Sequence, residues 1–156
     1  WLSYTYSRVF KDIPLINEGE AYPAKYDQPH NISFVTSYEF SKRFSLSLNW
    51  VYNTGRAVSM PTGKFVYQGQ TIPIYSAKNS ERLPAYHRMD ISATLKGKKY
   101  DTKKFKGEWV FSIYNLYNRA NAYSLNFVEN KETGVTEAQM LYLFKVIPSI
   151  TYNFKF

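Results

Sequence analysis

The sequence contains no cysteine among its 156 residues. Disulfide frameworks, thiolate metal sites and thiol enzymes are therefore excluded, and the redox compartment is left open. Long apolar segments are missing as well, because the longest stretch without a charged residue, 65–77, contains two glutamines, a glycine, a threonine and a proline. A membrane-spanning helix needs about 18 or more consecutive apolar residues, so this class is excluded too.

Aromatic residues are unusually abundant instead. The chain has 15 Tyr, 11 Phe and 3 Trp, which together make 19% of it, and its formal net charge is +8. It begins at Trp1 without an initiator Met, a basic region or an apolar region of the kind found in targeting signals. We therefore expect it to be a piece of a longer protein.

Hydrophobic residues recur with a period of two along most of the chain, which is typical of strands with one apolar and one polar face. In 43–53, for example, Phe44, Leu46 and Leu48 alternate with serines. The pattern predicts six strands, at about 2–10, 31–40, 43–53, 88–95, 109–114 and 149–156.

The connections between these strands alternate in length. Segments 11–30, 54–86 and 128–138 are long, whereas 40–43 is tight and 97–106 is intermediate. In an antiparallel meander each connection lies at the end of the sheet opposite to the one before it. Because long and short connections alternate here, all the long ones fall on one side. Long loops on one side and short turns on the other are typical of outer-membrane β-barrels.

The nature of the apolar face distinguishes a membrane sheet from a soluble one. Rings near strand ends, such as Phe10, Phe40, Phe44, Tyr52 and Trp109, are placed as an interfacial aromatic girdle would be. A soluble antiparallel sandwich with the rings in its core is the alternative. We predict an all-β, antiparallel, up-and-down transmembrane segment. Because six strands are too few to close a barrel, other strands must complete it.

Four segments carry a family pattern: 26–31 (YDQPHN), 79–90 (NSERLPAYHRMD), 114–121 (YNLYNRAN) and 148–156 (PSITYNFKF). In this order they resemble the C-terminal barrel end of TonB-dependent outer-membrane receptors of the Bacteroidetes type. The resemblance implies that residues 1–156 are the C-terminal part of a 22-stranded barrel, without its plug domain. It also implies active import of a scarce nutrient, no cofactor, and a C-terminus on the periplasmic side of a Gram-negative outer membrane.

The partners follow from the same resemblance. They are the rest of the barrel and its plug, the lipid bilayer, the barrel-assembly machinery, and the TonB complex acting through the absent N-terminal part. An accessory surface lipoprotein joins them where the receptor has one. No nucleic-acid partner is expected.

Candidate binding residues fall into two groups. Arg88 and Asp90 both occupy polar positions in the alternating pattern of their strand. Together with Asn49 they are predicted to face the barrel lumen. Within the long connection 54–86 we expect substrate contacts from Arg56, Met60, Tyr67, Tyr75 and Arg82, because external loops often contain the residues that bind substrate. A loop that only gates or shields the pore is the alternative.

The last predicted strand has its own candidate role. Ile150, Tyr152, Phe154 and Phe156 alternate with polar residues and resemble the signal that the barrel-assembly machinery reads. An edge strand of this kind offers pairing by β-augmentation. The alternative is that Phe156 only anchors the chain at the interface.

Catalytic chemistry finds little support. The only carboxylate and imidazole neighbours are Asp27 with His30 and His87 with Asp90. His87 and Asp90 are three apart on a predicted strand and point to opposite faces. No zinc, phosphate or acyl-transfer motif accompanies them. We therefore predict that the chain is not an enzyme.

A lysine cluster contributes much of the charge: Lys96, Lys98, Lys99, Lys103, Lys104 and Lys106 against Asp101 give +5 of the +8. Tyr100 and Phe105 accompany it in a predicted turn, whereas a nucleic-acid surface would need rings on an exposed sheet. A solvated periplasmic turn is the ordinary interpretation, and contact with anionic headgroups is a further one.

Three functions compete on this basis. Transport is the first, a structural or adhesive outer-membrane barrel built from several short chains is the second, and an outer-membrane hydrolase is the third. The hydrolase needs an Asp and His constellation that the sequence does not assemble.

Overall fold

The computed structural model describes residues 1–98, 100, 104–130 and 136–156. Apart from a short 3₁₀ turn at Asn17–Gly19, the regular structure of these residues is all β. None of the described residues belongs to a helix with the length and apolar character needed to cross a membrane. The described strands are β1 (Leu2–Tyr6), β2 (Phe10–Lys11), β3 (Tyr22–Pro23), β4 (His30–Glu39), β5 (Phe44–Asn53), β6 (Ala57–Val58), β7 (Pro61–Tyr67), β8 (Gln70–Tyr75), β9 (Glu81–Arg82), β10 (Tyr86–Lys96), β11 (Lys106–Tyr114), β12 (Ala122–Glu129), β13 (Thr136–Tyr142) and β14 (Ile147–Lys155).

Six of these strands form one sheet in the order β1-β4-β5-β10-β11-β14, which is also their order along the chain. The pairs β10–β11 and β11–β14 are antiparallel. The prediction of an all-β antiparallel sheet with these six strands is therefore confirmed. The sheet is open, with β1 and β14 at its edges.

Four shorter antiparallel pairs lie in the connections: β2–β3, β6–β9, β7–β8 and β12–β13. These pairs were not predicted, because their segments lack the long apolar alternation of the six main strands. The β7–β8 hairpin turns at Gln68 and Gly69, whose φ angles are 49° and 78°. Two consecutive left-handed residues are the hallmark of the tight hairpin turn that matches strand twist.

The first predicted strand was wrong at its end. It was expected to continue to Phe10, but β1 ends at Tyr6, and Phe10 belongs to the separate β2–β3 pair. The backbone leaves the ladder because the Val9 N–H donates to the Asp27 carboxylate over 2.8 Å. The Arg8 side chain, which interrupts the apolar alternation, binds the same carboxylate.

The third long connection is longer than predicted. It was expected at 128–138, whereas β11 ends at Tyr114 and β14 begins at Ile147. Asn115 and Asn118 have φ angles of 54° and 55°, so the chain turns out of the sheet directly after β11. Asparagine tolerates this left-handed conformation better than most residues.

The chain divides into two compact units. One comprises 1–4, 32–52 and 87–156, and holds most of the six-stranded sheet together with the β12–β13 hairpin. The other comprises 5–31 and 53–86, and holds the pairs β2–β3, β6–β9 and β7–β8.

The strand register places the apolar residues of the six-stranded sheet on one face. Leu95 lies opposite Trp109, which lies opposite Tyr152, while Ser112 lies opposite Ser149 on the other face. Large side chains on the apolar face that are more than a third exposed are Leu2, Tyr4, Tyr6, Phe34, Tyr38, Phe40, Phe44, Leu95, Trp109, Phe111, Ile150, Tyr152, Phe154 and Phe156. At about 200 Å² per large side chain, this exposed apolar surface is on the order of 1,000 Å².

The sheet does not build a hydrophobic core from its rings. Among the described residues, the buried apolar side chains are Tyr22, Ala24 and Ala57, and all three lie outside the six-stranded sheet. Tyr38 is 65% exposed and Phe154 is 60% exposed. The rings of the apolar face are therefore not covered by another layer of the described residues.

Candidate functional site

An ion pair occupies the polar face of the sheet near the start of β10. The Arg88 guanidinium approaches the Asp90 carboxylate to 2.9 Å and donates to the Tyr114 hydroxyl over 2.7 Å. Its central carbon also lies 4.1 Å from the centroid of the Tyr114 ring. Residues two apart on a strand share a face, and Arg88 and Asp90 lie on the same face of β10. Their position in a lumen stays a prediction.

Asparagine side chains hold the chain where the strands of this sheet end. Asn115 is fully buried, and its amide donates to the Arg119 carbonyl over 2.8 Å while its oxygen accepts the Arg119 N–H. Its own N–H donates to Asp90 over 3.0 Å. Asn121 forms reciprocal hydrogen bonds with the His87 backbone. These amides satisfy backbone groups that have left the ladder, and burying such groups without partners would be costly.

An aromatic cluster lies on the apolar face at the same end of the sheet. Trp50 stacks on Tyr52, and Tyr52 stacks on His87 at 6.3 Å between centroids. The His87 ring nitrogen Nδ1 lies 2.8 Å from the Tyr117 hydroxyl. Burial raises the pKa of Tyr117, and a hydrogen bond from Trp50 offsets part of this effect. A phenol that stays protonated can donate to Nδ1, which links the turn after β11 to β10.

A second aromatic cluster marks the opposite end of the same strands. Trp109 contacts Tyr152 at 4.7 Å between ring centroids, and Phe154 stacks on Phe105 at 6.0 Å. Phe40 and Phe44, which flank the tight turn, lie 5.6 Å apart. From His87 to Leu95 is eight residues of β10. At about 3.4 Å per residue and a tilt of about 40°, they span roughly 20 Å.

In the unit of 5–31 and 53–86, a buried carboxylate forms the central contact. Asp27 is completely buried and accepts hydrogen bonds from the Val9 N–H, from Arg8 and from Arg82. Arg82 also donates to the Gly55 carbonyl over 3.1 Å. Burial acts to raise the pKa of Asp27, but the Val9 and Arg82 hydrogen bonds and the two guanidinium charges outweigh it, and the pKa lies below its ordinary value.

Glycine is required beside this contact. A Cβ placed on Gly55 would lie 1.6 Å from the Leu83 carbonyl oxygen. Gln28 donates to the Thr54 carbonyl over 2.8 Å, and the Thr54 N–H donates to the His30 carbonyl. The segments 26–31 and 79–84 thus meet 53–55 through backbone contacts that a side chain at position 55 would block.

An open recess of about 740 Å³ lies in the same unit. Asn17 shapes one wall, because its side chain accepts the Lys78 N–H over 2.8 Å and donates to the Glu20 carbonyl. Asn79 fixes the other wall through its N–H, which donates to the Ser59 hydroxyl, and its amide, which donates to the Pro23 carbonyl. The recess is lined by Ile16, Asn17, Glu18, Glu20, Ser59, Tyr75, Ser76, Ala77 and Lys78. It combines an aromatic ring, carboxylates and an ammonium group, which suits a polar ligand with an apolar body.

The residues predicted to contact substrate in the connection 54–86 do not lie together at one site. Only Tyr75 lines the recess, and Tyr67 lies exposed at the end of β7. Arg56 precedes β6, and its carbonyl accepts the Leu83 N–H. The Arg82 guanidinium is engaged with Asp27 and Gly55, which gives it a structural role that the sequence analysis did not suggest. The Met60 N–H donates to the Ser76 hydroxyl.

Other predicted residues lie on the six-stranded sheet. Asn49 is half-buried in β5 on the face of Ser47, whose hydroxyl contacts that of Ser37. Ile150, Tyr152 and Phe154 alternate on the apolar face of β14, and Phe156 is 87% exposed just beyond it. β14 pairs only with β11 in this sheet, so its other edge is open.

Several recess residues were missed by sequence analysis, namely Asn17, Glu18, Glu20, Ser59 and Lys78. The composition of 17–20, an Asn, a Gly and two Glu, indicates a turn, but nothing in it indicates that the turn lies beside Tyr75. Of the lysine cluster, Lys99, Lys103 and Asp101 lie outside the described residues. No group of three or more His, Asp or Glu side chains arranged to hold a metal occurs in the described part of the chain.

The buried carboxylate yields a prediction about stability and pH. Asp27→Asn should lower the free energy of opening of residues 53–86 by about 2 kcal/mol near pH 7, because the ionised partner of two guanidinium groups is lost. A lowered pKa stabilises the folded state above the unfolded value of 3.8, and this contribution is lost as the pH falls through the folded pKa. The difference between wild type and Asp27→Asn, measured by hydrogen exchange, should therefore shrink below about pH 4.

Asp12→Asn is the matched control, because Asp12 is an exposed carboxylate in the same unit. It should leave the free energy of opening unchanged both near pH 7 and below about pH 4. Equal effects of the two substitutions would contradict the central position of Asp27.

Comparison with known proteins identifies no relative of this chain. No protein-family model, no curated protein and no solved structure matches it. The likeness of the four segments to TonB-dependent receptors therefore stays a prediction from their residues.

Proposed function

We propose that this chain is the C-terminal part of the β-barrel of a TonB-dependent outer-membrane transporter that imports a scarce nutrient. The observation that carries the proposal is the exposed apolar face of the six-stranded sheet, where Tyr38 and Phe154 are 65% and 60% exposed. A soluble monomer rarely exposes more than a few hundred Å² of contiguous apolar surface. A lipid bilayer would cover this face without any further protein layer.

The two aromatic clusters support a membrane position. One lies around Tyr52 and His87 and the other around Trp109 and Phe154. Their separation, roughly 20 Å, is close to the apolar band of about 25 Å in outer-membrane barrels. β4, β5, β10, β11 and β14 have nine to eleven residues, the length that a tilted strand needs to cross it.

The connections support the transporter class. Long connections at 7–29, 54–85 and 115–146 alternate with short ones at 40–43 and 97–105. By the antiparallel order, the long ones share one end of the sheet, as external loops do in outer-membrane barrels. The recess lined by Tyr75 and Lys78 lies in two of these long connections. We assign it as a point of first contact for the nutrient.

The two open sheet edges also fit a second function. A structural or adhesive barrel could close by pairing β1 and β14 with strands of further copies. In hydrocarbon an unpaired edge costs several kcal/mol per backbone group, so both edges must be satisfied. The four receptor-like segments favour the transporter, because the family whose barrel end they resemble consists of transporters.

The size of the assembled barrel distinguishes the two functions. A transporter should give a barrel formed by one chain of about 22 strands with a plug domain encoded upstream of Trp1. The mass of the purified barrel under denaturing and native conditions measures this directly. A barrel composed of several 18.3 kDa chains would exclude the transporter and support the oligomer.

Removal of the β7–β8 hairpin tests the role of the long connection. Replacing residues 63–74 by two glycines keeps Ser76, Lys78 and Asn79, whose hydrogen bonds to Met60, Asn17 and Ser59 shape the recess. We expect nutrient uptake by the complete protein to fall at least tenfold while the barrel stays heat-resistant in gel mobility, because the hairpin supports one wall of the recess. Normal uptake would remove this loop from substrate contact.

A point substitution tests the assembly role of the last strand. Phe156→Ala should lower the outer-membrane level of the complete protein several-fold, because it removes an exposed ring from the end of the edge strand β14, whose outer side has no partner strand in the sheet. Tyr26→Ala is the control, since Tyr26 is 74% exposed but lies outside the strands. Quantitative blotting of membrane fractions measures both. Equal levels of the two variants would leave Phe156 as an interface anchor only.

A further inference from the structure

Positive charge is concentrated at the short connections of the six-stranded sheet. The connections 40–43 and 97–105 carry six basic residues and one acidic residue, a net charge of +5 in thirteen residues. The three long connections carry ten basic and eight acidic residues, a net charge of +2 in 87 residues. The charge asymmetry between the two ends of the strands is therefore large.

Described residues at this end form a continuous group, which we call the basic rim: Lys42, Arg43, Lys96, Lys98, Lys104, Lys106 and Lys155. Hydrogen bonds join the two short connections, since the Lys96 N–H donates to the Arg43 carbonyl over 2.8 Å and the Arg43 side chain donates to the Lys96 carbonyl over 3.0 Å. The cations of both connections are thus held close together.

Like charges are placed side by side within the rim. Lys106 lies directly opposite Lys155 across the β11–β14 pair, an arrangement that destabilises a sheet. The ammonium groups of Lys96 and Lys106 lie 5.5 and 5.6 Å from the centroid of the same ring, that of Tyr100. The same ring therefore lies within cation–π range of two cations.

Nearby carboxylates do not balance these cations. Glu108 lies opposite Lys96 in the register and accepts a hydrogen bond from Asn153. Glu39 ends β4 beside the tight turn. Among the described side chains of this end, seven cations stand against these two carboxylates, and Asp101 in the sequence of the same connection adds one acidic residue, so an excess of positive charge is left that an external anion can neutralise.

Exposed rings border the basic rim along the same strand ends. Phe40 and Phe44 flank Lys42 and Arg43, and Phe105 stacks on Phe154 beside Lys104. Rings next to lysines are the arrangement found at a bilayer surface, where rings lie at headgroup level and ammonium groups reach the phosphates. A soluble acidic polypeptide would neutralise the lysines but leave the rings in water.

We propose that the basic rim binds the phosphate groups of anionic phospholipids in the leaflet that faces the short connections. The proposal depends on the proposed function only in placing the sheet in a membrane. It adds a lipid specificity and fixes the side of the membrane on which that specificity acts. Lys42, Lys98 and Lys104, which lie outside the strands, make the phosphate contacts, because Lys96, Lys106 and Lys155 share the polar face with Ser112 and Ser149.

The test uses the complete protein inserted into nanodiscs of phosphatidylcholine with one fifth phosphatidylglycerol. Lipids that remain bound after detergent extraction are counted by native mass spectrometry. We expect phosphatidylglycerol to be enriched about tenfold over its share in the nanodisc, because each lysine near the surface strengthens binding several-fold. The enrichment should decrease with added salt.

The combined substitution Lys42→Gln, Lys98→Gln and Lys104→Gln should reduce the enrichment to about twofold or less. Lys11→Gln, Lys25→Gln and Lys64→Gln together make the same change in charge within the long connections, and should preserve it. Equal enrichment in the two triple variants, or none in the wild type, would overturn the proposal. Failure of the protein to enter pure phosphatidylcholine nanodiscs would instead contradict its membrane position, so the two failures are distinguishable.

Discussion

The alternation of apolar and polar residues, kept in one register across six strands, is the constraint on which the rest of the structure depends. The register carries Leu95, Trp109 and Tyr152 onto one face and the serines onto the other. A shift by one residue in any strand would move its rings to the polar face. The described residues provide no layer over the rings and no partner for the outer edges of β1 and β14. The proposed membrane barrel would meet both needs together.

The ends of the strands pose the opposite problem, because the backbone there leaves the ladder. Buried polar side chains meet this need in both units: Asn115 and Asn121 in one, and Asp27 in the other. Each binds main-chain groups rather than solvent. This explains physically why the receptor-like segments contain Asp, Asn and Arg between apolar residues. Their polar residues fasten the connections, so their presence supports an architecture and carries no information about the nutrient.

The sequence alone was sufficient for the six strands and their neighbours, because alternation over about ten residues is a strong local signal. It was insufficient where a distant residue decides. Nothing near Phe10 indicates that Asp27 will take up the Val9 N–H and end β1 at Tyr6. The hairpin β7–β8 was missed because Pro61 and Pro73 suggested a loop, although the Gln68 and Gly69 turn was readable. The recess escaped because Asn17 and Lys78 meet only in three dimensions.

The two ends of the sheet carry different chemistry, and this difference has a physical consequence for orientation. Within the unit of 5–31 and 53–86, a recess offers carboxylates, an ammonium group and the Tyr75 ring. At the short connections the charge is almost all positive and lies beside exposed rings. A sheet that is symmetric in its apolar band would enter a bilayer equally well in either direction. In the proposed membrane position, anionic headgroups at one end and long polar connections that resist transfer through hydrocarbon at the other would remove this symmetry. The two proposals together thus account for a single orientation of the chain.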